Sequence, residues 1–308
     1  RVAATIKRAS RNDQVILSAL AVAIGALAGL GAILFRLAID VVQWGALGFW
    51  GEHVASLAAQ QPWWRLILAP TLGGLVIGLA VQYLMPGRRP QAVTDTIEAS
   101  ALNGGRMSLK TGVKAALISA GSIGVGASVG REGPVVHMGG VIGSFVARRL
   151  HLGRRLTRTL LGCGVAAAVA ASFNAPIAGV FFALEVVVGH YALSAFAPIV
   201  IAAVVGTLVS RAHYGDFPAF ILVQNYEIVS FWEFPAFALL GIASAIAALA
   251  FMYAVTLTED GFDRLTRLPR WGRPAVAGLV VGLVALAYPR ILGVGYEATD
   301  AALGETYG

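Results

Sequence analysis

Charge is what this sequence has least of. Asp, Glu, Lys and Arg make up 13% of its 308 residues, against roughly 25% in an average soluble chain. That is too little to coat a globule of this size, which excludes a soluble two-domain protein. Cysteine is almost missing: Cys163 stands alone, can form no internal disulfide, and lies in an apolar Gly/Ala stretch without CxxC spacing. Metal or redox chemistry from sulfur is therefore not expected. No HExxH occurs, so the zinc-hydrolase signature is absent. A signal-peptide layout is also lacking, because the first apolar run is too long for an h-region. The chain opens on Arg1 and stops at Gly308 after a half-formed pattern, and a fragment is expected.

What is present is apolar. Hydrophobic residues reach 57% and glycine numbers 37, and long apolar runs fit lipid as solvent, where each span must satisfy its own backbone as a helix or a closed barrel. The fold class expected is all-α and polytopic transmembrane. A span needs roughly 20 apolar residues. Candidates run over residues 15–42, 66–84, 195–209, 234–257 and 274–288. Between them the segments 111–129, 135–146, 156–172 and 177–189 are shorter, Gly-rich and interrupted by charged or Pro-containing turns. They read as re-entrant or broken helices rather than full spans, and irregular backbone of that kind lines a cavity.

The net charge is +7, which in a soluble chain would raise the question of nucleic acid. Here the cations sit in short loops: Lys7, Arg8 and Arg11; Arg88 and Arg89; Arg148, Arg149, Arg154, Arg155 and Arg158; Arg264, Arg267, Arg270 and Arg273. With these four loops cytoplasmic the spans alternate consistently, Arg211 being an exception, and no nucleic-acid partner is implied. Trp44, Trp50, Trp63, Trp64 and Trp232 then fall at the outer interface. Glycines four apart, at 25 and 29, 74 and 78, 139 and 143, and 278 and 282, read as close helix contacts in lipid.

Two charged turns interrupt the apolar pattern. The first is Gly130, Arg131, Glu132, Gly133, Pro134. Pro134 suits the first turn of a helix, and the two glycines leave backbone amides free to face a ligand. Such a helix start is an anion site, and Glu132 at the same place reads as a tethered carboxylate that competes with the anion. The plain alternative is a capping Glu paired with Arg131. The second turn contains Asn174 and Pro176, with Pro176 opening a helix that ends near Glu185; a single Glu there is as readily structural as a proton carrier.

Together these segments resemble the CLC family of chloride channels and chloride/proton antiporters. GREGP is intact at 130–134, and the GxFxxPxxGxxFxxE pattern is met by Phe173, Pro176, Gly179, Phe182 and Glu185, with Ala171 in place of its first glycine. The resemblance covers most of the chain. It implies a CLC-like architecture of broken and re-entrant helices with an inverted repeat, residues 1–308 forming a partial transmembrane domain: the first half plus about two helices of the second, without a complete pore. It implies transport of chloride or a similar small anion across a bilayer, no cofactor, a homodimer, and, for a prokaryotic-type member, the bacterial inner membrane. Glu132 matches the gating glutamate, and the amides around Gly130, Arg131, Glu132 and Gly133 match those that bind the anion. The proline of GREGP, Pro134 here, is replaced in fluoride-selective relatives, so its presence points to chloride, with nitrate still open.

Two positions depart from the family. Its GSGIP-like turn carries a serine that helps hold the central anion; counting back from Glu132 places that turn near residues 90–94, which contain no Ser. Gln91 is the best match, with Gly87 the other option, and an amide N–H can still donate to an anion. Antiporters of the family place a proton-carrying Glu at the position occupied here by Val186, which cannot carry a proton. Channel-like or loosely coupled transport is the leading expectation and a proton-coupled antiporter the alternative. From another class, Glu132 with Glu185, or His137 with His190, is a candidate intramembrane hydrolase or metal site.

Overall fold

The computed structural model describes residues 13–189, 191, 193–216, 228, 230–264 and 268–304. Lys7, Arg8, Arg11, His190 and Arg267 lie outside the described residues. Among those described there is no strand. Six helices are long and apolar enough to cross a membrane, as the composition requires, and the protein is an integral membrane protein.

The first helix, α1 (Asp13–Leu47), has 35 residues, more than the roughly 20 a bilayer core needs, so it tilts or protrudes. A short α2 (Val54–Ala58) leads to α3 (Trp63–Leu84). Then come α4 (Val93–Ala101), α5 (Leu109–Gly124), α6 (Glu132–Arg149) and α7 (Arg154–Phe173). The helix α8 (Pro176–Phe182) runs on into a π-helical turn, Ala183–Val188. The remaining elements are α9 (Leu193–Tyr214), α10 (Glu233–Arg264), α11 (Arg273–Ala287) and α12 (Tyr296–Leu303).

Three segments expected to be short differ. Residues 156–172 belong to α7, whose 20 residues form a buried, full-length span. Residues 135–146 belong to the 18-residue α6, where the acidic start and the Arg148–Arg149 end both suit the helix dipole. The charges that looked like breaks are parts of these helices. In the other direction, the expected 111–129 segment stops at Gly124, because Gly126 adopts φ +94° and the chain stays irregular up to Arg131. Residues 177–189 are short as expected.

The core is built around α7, which packs on α6, α9 and α1. From Gly162 to Ala171 its buried residues are Gly, Ala, Val and Cys163, so neighbouring backbones come close. All four glycine pairs serve such contacts. A Cβ on Gly25 or Gly29 would meet the Ala202 or Gly206 carbonyl of α9, one on Gly139 or Gly143 the Gly164 or Leu160 carbonyl of α7, and those on Gly74, Gly78, Gly278 and Gly282 the facing backbone between α3 and the Trp271–Ala287 region. This is the packing by small residues that lipid-embedded helices use. By contrast α10 buries none of its residues, and from Phe234 to Leu257 its surface is predominantly apolar, a composition suited to lipid.

Candidate functional site

The two charged turns meet at the start of α6. Arg131 caps this helix, is buried at 7% exposure, and points away from its first turn. Its guanidinium donates to Glu52 at 3.0 Å, to the Tyr296 hydroxyl at 3.0 Å and to the Ser172 carbonyl at 3.3 Å. Arg131 also lies over the rings of Tyr296 and Phe173, 4.5 and 5.8 Å from their centroids. A buried cation needs partners of this kind. Glu52 in turn pairs with Arg36 at 2.5 Å, and Arg36 covers Tyr214. Arg131 is thus paired with Glu52, Tyr296 and Ser172, and not with Glu132.

With Arg131 so held, Gly130, Glu132, Gly133 and Pro134 border a cavity of about 670 Å³ that Gln91 also lines. The first N–H groups of a helix have no partner within it, so the α6 start offers donors at Glu132 and Gly133. Gly130 has a second use beyond leaving amides open: a Cβ there would collide with Oε2 of Glu132, so glycine makes room for the carboxylate to fold back over the turn. Gln91 sits in a turn fixed by Asp95, which accepts from Arg89 at 2.7 Å and from the Ala92 N–H at 2.8 Å. Burial raises the Asp95 carboxyl, but the Arg89 guanidinium and the Ala92 N–H outweigh it and leave the group below its ordinary range. Gly87 does not border the cavity.

Several lining residues were not legible as a site. Ser119 and Ser122 of α5 face the cavity; their spacing of three on one helix face within an apolar segment is the signal that would have found them. Arg88, Arg270 and Arg273 gather at its basic end, although in sequence they mark only topology. Glu52 and Tyr296, which hold Arg131, are separated from it by 79 and 165 residues and carry no local signal.

The second motif shapes the neighbouring helix junction. Asn174 ends α7 at φ +53°, a left-handed conformation that Asn tolerates. Its side chain accepts from Arg211 at 2.7 Å and donates to Asp216 at 3.2 Å. Pro176 opens α8, and Gly179 lets that helix approach the Ala166 carbonyl of α7. Phe173 packs against the core and faces Arg131, joining the two motifs. Glu185 lies exposed in the π-helical turn, accepting from the Tyr191 hydroxyl at 3.5 Å, with Val186 beside it, 38% exposed. Neither lines the cavity that Glu132 lines.

Among the described residues no three His, Cys, Asp or Glu side chains cluster as metal ligands. Residues 126–130 spell Gly-Ala-Ser-Val-Gly, which fits GxSxG by letter. That motif works on a strand-to-helix elbow, whereas here it lies in irregular chain between α5 and α6.

The sequence profile of the voltage gated chloride channel family matches residues 73–308. A ClcB-like chloride channel protein of Ralstonia nicotianae is 32% identical over 289 residues, 92% of this chain and 67% of that protein. The voltage-gated ClC-type chloride channel ClcB of Citrobacter koseri is 30% identical, over 92% of this chain and 68% of its own length. The fold matches a slow cyanobacterial chloride/proton antiporter with a TM-score of 0.76 at 21% identity, over 93% of this chain and 67% of that one. It also matches a CLC-type fluoride/proton antiporter with a TM-score of 0.74 at 23% identity, over 94% and 70% of the two chains. The chain thus spans about two thirds of the length of these relatives, and it belongs to the voltage-gated chloride channel family.

Proposed function

We propose that the protein conducts chloride or a similar small anion across the inner membrane of a bacterium, with Glu132 as the gate and without fixed coupling to protons. The observation that carries this reading is the sharing of one cavity by Glu132, Gly133, Gln91 and the α6 start. An anion entering past Arg88, Arg270 and Arg273 is drawn toward the helix N–H groups. The Glu132 carboxylate competes for the same donors, so protonation or displacement of that carboxylate opens the path. Gln91 donates its amide where the family has a serine, and Gly130 gives the carboxylate space. Pro134 favours chloride over fluoride. The protein acts as a homodimer with a pathway in each subunit, and residues 1–308 supply only part of each.

Val186 supports uncoupled transport, because a proton path through an apolar region ordinarily uses an ionisable relay. Proton-coupled antiport is the second reading, favoured by Glu185, which is one residue away and exposed, and by the antiporters among proteins of this fold. The gating role is tested by chloride efflux from liposomes containing the complete protein. Glu132→Gln abolishes the pH dependence while flux stays high; pH dependence unchanged from that of the unsubstituted protein would remove Glu132 from the gate.

A further inference from the structure

A second cavity, of about 300 Å³, opens where α7 and α9 leave the membrane on the basic side, between the start of α7, the end of the π-helical turn and the loop after α4. Arg154, Arg155 and Arg158 line it, and among the described residues no Asp or Glu does. Among the described residues none of the three is in an ion pair. Arg155 donates to the Ser194 hydroxyl at 3.0 Å and Arg158 to the Val188 carbonyl at 3.3 Å, while the Arg158 Nε is buried without any acceptor.

The wall is built rather than incidental. Gly104 and Gly105 turn with φ of +59° and +79°, which lays the α4–α5 loop on the Arg154 stem and on the Arg158 backbone. Orientation by basic loops requires only net positive charge near a span end; it does not require three guanidinium groups around one cavity without a carboxylate. Nor does helix stability favour them, since cations are unfavourable at a helix start. Gly153 gives no side-chain cap, and no acid stands in the first turn of α7. The helix end adds to the positive field without defining the site.

We propose that this cavity binds the phosphate headgroup of an anionic phospholipid. Guanidinium forks match phosphate oxygens bidentately, and basic pockets between spans at the headgroup level are suited to such lipids. The position favours lipid over a soluble phosphate. The cavity lies at the ends of two spans, and its lip continues into apolar surface through Ala101 and Leu102, the latter 77% exposed, where acyl chains would lie.

Native mass spectrometry of the purified protein, titrated with phosphatidylglycerol, phosphatidylcholine or inorganic phosphate, tests this. Phosphatidylglycerol should bind more tightly than phosphatidylcholine. Each arginine contributes roughly fivefold, so replacing all three by Gln weakens phosphatidylglycerol about a hundredfold and leaves phosphatidylcholine unchanged. Should the triple variant not fold, Arg154→Gln, which removes a side chain with no hydrogen bond of its own, weakens it roughly fivefold. Millimolar inorganic phosphate leaves the lipid in place. Equal binding of the two lipids, unaltered phosphatidylglycerol affinity in the variants, or displacement by inorganic phosphate would each overturn the proposal.

Discussion

Arg131 reaches across 79 residues of chain to donate to Glu52 at 3.0 Å. The contact ties the helix that begins at Glu132 to the α1–α2 loop, and Tyr296 ties the same guanidinium to the start of α12. The start of α6 is thereby held by side chains that touch no part of the cavity bordered by Glu132. Removing the Glu52 carboxylate leaves two arginines without their shared partner, and one of these is buried. Breaking such a pair costs about 3–5 kcal/mol when both groups are fully buried. Glu52 is 42% exposed at its side chain and Arg131 keeps two other partners, so Glu52→Ala should cost roughly 1–3 kcal/mol. Thermal unfolding in detergent checks this, with Glu52→Gln expected to lose less.

Gly130 provides a separate handle on the proposed gate. Its backbone is not in the left-handed region, and the atom a Cβ would meet belongs to the movable end of Glu132. Gly130→Ala should therefore fold normally and displace the carboxylate. Chloride flux at neutral and alkaline pH should rise, and its pH dependence should flatten toward that of Glu132→Gln.

Selectivity is assigned to Gln91. Gln91→Leu removes the amide donor while keeping similar bulk, and should weaken chloride binding or change the preference of chloride over nitrate without unfolding the protein. Titration calorimetry on the detergent-solubilised variant measures both; unchanged affinity and preference would take Gln91 out of the site.

Helix packing predicts opposite outcomes for two glycines. At Gly164 a Cβ would meet the Gly139 carbonyl and the Gly143 nitrogen, whereas at Gly241 it would meet nothing. Gly164→Ala should destabilise by about 1–3 kcal/mol through overpacking. Gly241→Ala should be neutral, or stabilising by up to about 1 kcal/mol from helix propensity. Thermal unfolding of the two variants separates them.

These contrasts show how far the sequence could be read. Apolar run length located five of the six spans but not α7, and four-residue glycine spacing located the contacts, because both follow from local chain geometry. GREGP placed Glu132 at a helix start for the same reason. Arg148 and Arg149 misled because charges were taken as breaks, although cations suit a helix end. The holding of Arg131 by Glu52 and Tyr296 was illegible, since it joins segments far apart in the chain. Gln91 could be placed only by counting along a family pattern, and the Arg89–Asp95 pair that fixes its turn followed from neither.

Glu297 fastens α12 to α2, accepting from the Ala55 and Ser56 N–H groups and from the Ser56 hydroxyl. Burial raises its carboxyl, yet the Ser56 hydroxyl and the two N–H groups together hold it below its ordinary value. A carboxylate with a lowered folded-state pKa contributes stability above its unfolded value and loses it as pH falls through the folded value. Glu297→Gln should thus lower stability by about 0.5–1 kcal/mol near neutral pH, after allowance for solvent screening. The difference from the unsubstituted protein should shrink as pH falls below the ordinary carboxylate range.

The central claim is anion conduction without fixed proton coupling, and one measurement addresses it directly. Liposomes containing the complete protein are given a chloride gradient while internal chloride and pH are recorded together. Chloride should run down its gradient with no uphill proton movement, as expected of a path with Val186 where a relay would stand. Uphill proton pumping at a fixed chloride-to-proton ratio would contradict the claim and make Glu185 the first inner proton carrier to replace.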